Sequence, residues 1–267
     1  MCPTVRPLKR FSQNFLKDAS FGRRLVESLD IRPGDVVLEI GPGQGTLTRC
    51  ILDSPAASVI GVEIDRRCAE VLRRDFLDEP RFRLIERDFL KTRLSGLAPE
   101  GTKLRIIGNI PYAITSMILF KLLDERPQVR DFAFTMQKEV ALRVAGRPGT
   151  KDFGIPSVLI QMAADVRILF AIPRGAFRPI PGVDSAVLAG VFLDGPRFPV
   201  RDEAFFRALV KKGFGQRRKM LRNSLKPYWG GGPDPAGLER TLDRRPEDLS
   251  VEEWAGLADA LYKMEHG

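Results

Sequence analysis

The tetrapeptide Asn109-Ile110-Pro111-Tyr112, set directly behind the apolar run Leu104-Arg105-Ile106-Ile107-Gly108, combines residue types suited to one demanding reaction. An exocyclic amine on a purine ring is a poor nucleophile, because its lone pair is delocalised into the ring. A protein that alkylates such an amine must aim hydrogen-bond acceptors at its N–H bonds. The Asn109 side-chain carbonyl is one acceptor. Pro111 fixes its own φ and biases Ile110 toward extended backbone, which would turn the Ile110 carbonyl toward the same space as a second. Tyr112 adds a flat face for stacking a base. The pattern suits alkylation at adenine N6, with Asn109, Pro111 and Tyr112 as the residues that would act. The same four residues would equally serve as a strand-ending Asn-x-Pro turn beside a buried tyrosine, so their surroundings decide.

The surrounding sequence reads as parallel βαβ units from about residue 19 to 195, with short β-rich apolar runs alternating with helical patterns. Strands are expected at 36–40, 59–63, 82–85 and 104–107, with helices at 19–29, 46–52 and 66–77. Beyond the tetrapeptide come a helix at 115–123, a strand at 132–136 and a helix at 156–164. The runs 166–172 and 186–192 are expected to close the sheet as an antiparallel pair. Gly195-Pro196-Arg197-Phe198-Pro199 reads as a linker. After it the pattern is wholly helical, at 203–214, at 219–225 and from Ser250, where Ser250-Val251-Glu252-Glu253 resembles a capping box. Trp229 and the run Gly230-Gly231-Gly232-Pro233 mark a loop. The expectation is a Rossmann-like α/β domain over residues 1–195 and a small all-α domain over 196–267.

Glu39-Ile40-Gly41-Pro42-Gly43-Gln44-Gly45 falls where the first strand meets the following helix, and glycines there allow a tight turn and close approach of a ligand to the backbone. The spacing Gly41-x-Gly43-x-Gly45 departs from the dinucleotide pattern G-x-G-x-x-G, so a nicotinamide cofactor is the weaker reading. Glu63 ends the next strand about 20 residues on, where an acid can bind ribose hydroxyls. Asp88, after the third strand, lies at the equivalent edge and could accept from an adenine amine. Gly41, Glu63, Asp88 and Asn109 thus share the carboxyl edge of the sheet, where open α/β sheets bind ligands.

Composition narrows the chemistry. The single histidine is His266, next to the last residue, which leaves no Ser-His triad, histidine base or histidine-based metal site to expect. Cys2, Cys50 and Cys68 form no C-x-x-C pair, and an odd count argues against a disulfide framework. No apolar stretch is long enough to cross a membrane, and the default compartment is the cytoplasm. The net charge is +9 and the pI near 9.7, which favours a polyanionic partner. Met1–Lys17 holds four basic residues and no acidic one, and Ala204–Pro233 holds eight and none. Within the second stretch Lys211, Lys212, Arg217, Arg218, Lys219 and Arg222 are candidate phosphate contacts.

Taken in order, Ser12-Gln13-Asn14-Phe15-Leu16, the glycine loop, Glu63, Asp88, Asn109 to Tyr112, and Phe177-Arg178-Pro179-Ile180-Pro181-Gly182-Val183-Asp184-Ser185 resemble the ribosomal RNA adenine dimethyltransferases. Gln137-Lys138-Glu139-Val140-Ala141, the Pro148-Gly149-Thr150-Lys151 loop and Gln216-Arg217-Arg218-Lys219-Met220-Leu221-Arg222-Asn223 resemble the bacterial small-subunit type. The resemblance runs from about residue 8 to the carboxyl terminus. It implies a class I methyltransferase sheet using S-adenosyl-L-methionine, held by Asn14, Leu16, Gly41, Glu63, Asp88 and Asn109, with Gly43 in the same loop and residues 1–18 covering the cofactor. It gives Phe177 a stacking face opposite Tyr112, whereas the residues alone favour a core phenylalanine before a proline-rich turn. It implies a substrate of two adjacent adenosines in a hairpin loop near the 3′ end of 16S rRNA, within the small subunit or its precursor, for a monomeric enzyme. Family members usually carry Gly where this chain has Ser12.

Three other readings share parts of this pattern. A 23S rRNA adenine methyltransferase conferring antibiotic resistance would share the cofactor and adenine motifs, but the segment Gln216 to Asn223 speaks against it. A DNA adenine methyltransferase typically presents Asp or Asn followed by Pro-Pro, whereas here Ile110 intervenes. A ribosome-assembly factor, acting by binding more than by catalysis, would use the same basic surface.

Overall fold

The computed structural model describes Val5, residues 14–229 and residues 237–266. The basic residues Arg6, Lys9 and Arg10, the Ser12-Gln13 part of the amino-terminal motif, Cys2 and the Gly230–Pro233 loop lie outside the described residues. In chain order the elements are β1 (Phe15–Leu16), α1 (Ala19–Glu27), β2 (Val36–Ile40), α2 (Thr46–Leu52), β3 (Ser58–Glu63), α3 (Arg66–Asp75), β4 (Phe82–Glu86), β5 (Leu104–Asn109) and α4 (Thr115–Asp124). There follow β6 (Val129–Gln137), α5 (Lys138–Val144), α6 (Ile155–Gln161), β7 (Ala164–Ile172), β8 (Phe177–Arg178) and β9 (Ser185–Phe192). The helices α7 (Glu203–Phe214), α8 (Leu221–Leu225), α9 (Glu239–Leu242) and α10 (Val251–His266) complete the chain.

The seven-stranded sheet has the order β4-β3-β2-β5-β6-β9-β7. Strands β4 through β6 run parallel and β9 runs antiparallel to β6. Parallel strands covered on both faces need continuous apolar runs, and every residue of β2 is buried. The sheet order reverses direction at β2, whose neighbours are β3 and β5. The carboxyl ends of these strands flank the crevice in which such sheets bind ligands. Strand β9 inserts between β6 and β7, so the last two strands sit in the reverse of their chain order.

Arg105, the second residue of the apolar β5, is 3% exposed yet fully engaged. Its Nε donates to Asp131 Oδ1 at 3.0 Å and one terminal nitrogen to Asp35 Oδ2 at 2.7 Å. Arg105 and Asp131 are register partners across β5 and β6. This pair, with its link to the turn before β2, fixes the relative slide of the strands that end in the site.

The chain forms two compact units, Met1–Ala141 with Arg167–Phe192, and Leu142–Val166 with Leu193–Gly267. The sequence reading divides the chain at 195 alone, whereas the contacts also group residues 142–166 with the carboxyl-terminal helices. Phe153 packs on Phe214 there, with ring centroids 6.4 Å apart. The start of α10 carries the expected reciprocal cap: Ser250 N donates to Glu253 Oε2 at 2.7 Å and Glu253 N to Ser250 Oγ at 3.1 Å.

Candidate active site

Strand β2 ends in a loop that turns through Gly41, Gly43 and Gly45 at φ of +65°, +59° and +78°, in the left-handed region where glycine is unstrained. Gly43 has a second constraint, since a Cβ there would come within 2.8 Å of the Phe15 ring. The loop is tied to β3 by Glu63. The Gly43 N–H donates to Glu63 Oε2 at 2.9 Å and the Asp65 N–H to Oε1 at 2.8 Å. Burial raises the Glu63 carboxyl above the usual range, and these two N–H bonds pull it back toward the charged form. Each carboxylate oxygen still has a second lone pair, so the side chain that shapes the loop can also accept from two hydroxyls.

Asp88 opens a short 3-10 turn after β4, with Oδ1 accepting from Leu90 N at 2.9 Å. Asn109 ends β5, and its Nδ2 donates to the main-chain carbonyl of Asn14 at 2.7 Å. Among the described residues no donor reaches its Oδ1. Pro111 has φ −60° and ψ 131°. Tyr112 is half-buried, and its hydroxyl shares a hydrogen bond of 2.5 Å with Ser185, a fully buried serine at the start of β9. Burial raises the Tyr112 phenol and the Ser185 bond lowers it.

These groups line one cavity of about 220 Å³ at the carboxyl edge of the sheet. Of the residues singled out from sequence, Asn14, Gly41, Glu63, Asp88, Asn109, Pro111 and Tyr112 face it. Gly43 and Leu16 are not in its wall: the first acts through its N–H to Glu63, and the second is buried in the core. The structure does not bring Phe177 to the cavity. Its side chain is fully buried in the cluster that includes Leu16, Leu25, Ile172 and Val187, where an aromatic ring gains more from apolar neighbours than from solvent. Sequence reasoning missed Phe15, Ile64, Arg87 and Leu90, which also line the cavity. Ile64 had a legible signal, a bulky aliphatic residue directly after the strand-end acid, and it is 49% exposed.

In the helical unit the basic candidates divide. Lys211, Lys212, Arg218 and Lys219 are exposed. Arg217 instead donates to the carbonyls of Thr150 at 3.3 Å and Lys151 at 2.7 Å, and lies 3.7 Å from Glu247. Arg222 is ion-paired with Asp243. These two hold the unit's own loops and helices.

A glycine loop, a strand-end acid and a second acid around a cavity on a mixed seven-stranded sheet define a class I methyltransferase, and the residues present fit S-adenosyl-L-methionine: Glu63 could accept from ribose hydroxyls, Asp88 from an adenine amine, and apolar Ile64 and Leu90 could flank a ring. The chain belongs to the ribosomal RNA adenine dimethylase family, which it matches over residues 6–261. It is 43% identical over 258 residues to the ribosomal RNA small subunit methyltransferase A of Chlorobaculum parvum, covering 97% of this chain and 90% of that one. The protein of the same name from Geobacter metallireducens is 41% identical, with 97% of each chain covered. Among solved structures, a dimethyladenosine transferase from Plasmodium falciparum shares the fold, with a TM-score of 0.78 at 24% identity over 94% of this chain and 98% of that one. The 23S rRNA methyltransferase ErmE superposes with a TM-score of 0.71 at 28% identity, over 93% of this chain and all (100%) of that one.

Proposed function

We propose that this chain transfers methyl groups from S-adenosyl-L-methionine to the N6 amines of two adjacent adenosines in a hairpin loop near the 3′ end of 16S rRNA, giving dimethyladenosines. It does so as a cytoplasmic monomer acting on the small ribosomal subunit or its precursor. The observation that carries this reading is that Asn109, Pro111 and Tyr112 line the same cavity as Glu63 and Asp88, so an amine-binding wall and a nucleoside-binding wall meet in one space.

When bound, S-adenosyl-L-methionine supplies an electrophilic methyl group on a positively charged sulfur. Glu63 would hold its ribose hydroxyls, Asp88 its adenine amine, and Gly41 the backbone approach. On the substrate side, Asn109 Oδ1 and the Ile110 carbonyl accept from the N6 amine, which makes the lone pair more available. The Tyr112 ring, its hydroxyl held by Ser185, provides the stacking face for a base taken out of the RNA stack. Fixing the amine in line with the methyl supplies much of the rate. No general base is required: once alkylated the amine is strongly acidic and its proton leaves to water. A second stacking face from Phe177 would require its ring to leave the core, so the assignment rests on Tyr112.

The exposed Lys211, Lys212, Arg218 and Lys219 would contact RNA phosphates, which position the substrate without reading its sequence. The test is Asn109→Ala. It should abolish methyl transfer while weakening binding of S-adenosylhomocysteine only modestly; a variant with full activity would remove Asn109 from the mechanism.

A further inference from the structure

We propose that the strap Asn14-Phe15-Leu16 is a positioning element for Asn109: the main-chain carbonyl of Asn14 holds the Asn109 amide in the one orientation that leaves Oδ1 for the target amine. The use of Oδ1 rests on the adenine reading above; the hold on the amide does not. A segment that lies over the cofactor cavity thereby also sets the acceptor that works on the second substrate.

The chemistry of the contact fixes the amide's direction. A main-chain carbonyl can only accept, so the atom of Asn109 facing it at 2.7 Å must be Nδ2, and Oδ1 must point the other way. The sheet does not do this job. Thr135 is the register partner of Asn109 on β6 and so projects from the same face, yet its buried hydroxyl has no hydrogen-bond partner. With no other bond to the Asn109 side chain among the described residues, the strap alone selects between two otherwise similar amide rotamers.

The strap is itself anchored on more than one side. It pairs antiparallel with β8, Phe15 opposite Arg178 and Leu16 opposite Phe177. The Lys17 N–H continues this ladder to Ala176 O at 2.9 Å. On the other side the Phe15 ring sits so close to Gly43 that a Cβ there would come within 2.8 Å of it. Asn14 and Phe15 both line the cavity. The glycine loop, the strap and the Asn109 amide therefore form one mechanical chain, and a ligand that orders the loop and strap also orders the acceptor.

Asn109→Asp tests the hold directly, because it keeps the shape and the acceptor but places an oxygen against the Asn14 carbonyl. Hydrogen–deuterium exchange at the Lys17 amide is the readout. N109D and N109A should each speed this exchange roughly tenfold, the factor expected from one lost buried hydrogen bond. Y112A, a cut in the same site away from the strap, should exchange at the wild-type rate. Wild-type exchange in N109D, or equal acceleration in Y112A, overturns the proposal. The consequence for turnover is read by F15A, which should lower kcat roughly tenfold at saturating RNA and methyl donor with the KM for RNA unchanged, while F15Y, which keeps the ring, recovers it. An unchanged kcat in F15A overturns the coupling. If the wild-type protein transfers no methyl to RNA adenine, the adenine reading fails, and the exchange data still decide the strap's role.

Discussion

Glu39 is the most heavily buried carboxyl beneath the site, 1% exposed, and it makes a sharp prediction about pH. Burial, helped by the nearby Glu63 charge, pushes its pKa from an ordinary 4.5 up to about 8 against the opposing effect of the Thr48 hydroxyl, which donates to Oε2 at 2.6 Å. Between these two values the native protein keeps a proton that the unfolded chain has lost, so stability must fall as pH rises. The gap from 4.5 to about 8, at about 1.4 kcal/mol per pH unit, makes the loss up to about 5 kcal/mol, complete above pH 8. Glu39→Gln keeps the side-chain size and an acceptor for Thr48 but cannot ionise. Urea unfolding followed by circular dichroism from pH 4 to 9 should show the two proteins coinciding at the acid end. E39Q should then gain steadily on wild type up to pH 8 and hold its advantage beyond. Parallel stability curves across this window would mean that Glu39 is charged in the fold, and the burial argument would be wrong.

Glu63→Gln must leave one of the Gly43 and Asp65 N–H groups facing an amide nitrogen, at a cost of about 1–3 kcal/mol. Calorimetry should then find S-adenosylhomocysteine binding weakened by about 10- to 100-fold, and unchanged affinity would separate Glu63 from the glycine loop. At Gly108 an added Cβ would lie 2.8 Å from the Ile40 carbonyl, a backbone atom with little room to yield. Gly108→Ala should cost about 1–3 kcal/mol in unfolding free energy and depress methyl transfer through the adjoining Asn109; wild-type values for both would show that the two strand ends are not tightly set. Replacing Lys211, Lys212, Arg218 and Lys219 together by Ala should weaken RNA binding and flatten its dependence on salt by roughly one unit of log–log slope for each lost phosphate contact. Arg217→Ala should instead lower the unfolding temperature, because it releases the Thr150–Lys151 turn.

What sequence could reveal follows from how each feature is encoded. Strand β2 and helix α2 have the expected bounds because continuous burial and glycine punctuation are local signals. The cavity-lining acids were legible because strand ends in a parallel sheet converge on one edge. The β1–β8 ladder was not, since two-residue strands carry no period and their pairing joins residues far apart in the chain. The same holds for Arg105 with Asp131, separated by 26 residues, where an arginine in an apolar run looks like an interruption until its partner is in place. The basic stretch after residue 204 was visible as charge, but only packing separates the exposed lysines from Arg217 and Arg222, which bind their own fold. The burial of Phe177 is what its residue type alone favours, since aromatic residues are more often core than ligand contacts, and only the family resemblance points it toward a base.

The central claim is that the Asn109–Tyr112 wall methylates adenine in small-subunit RNA. Its most direct test is to incubate the protein with labelled S-adenosyl-L-methionine and unmethylated small or large ribosomal subunits, then map the modified base. The account predicts label as dimethyladenosine at two adjacent positions of 16S rRNA, and none with N109A. Label confined to the large subunit, or undiminished with N109A, would contradict it.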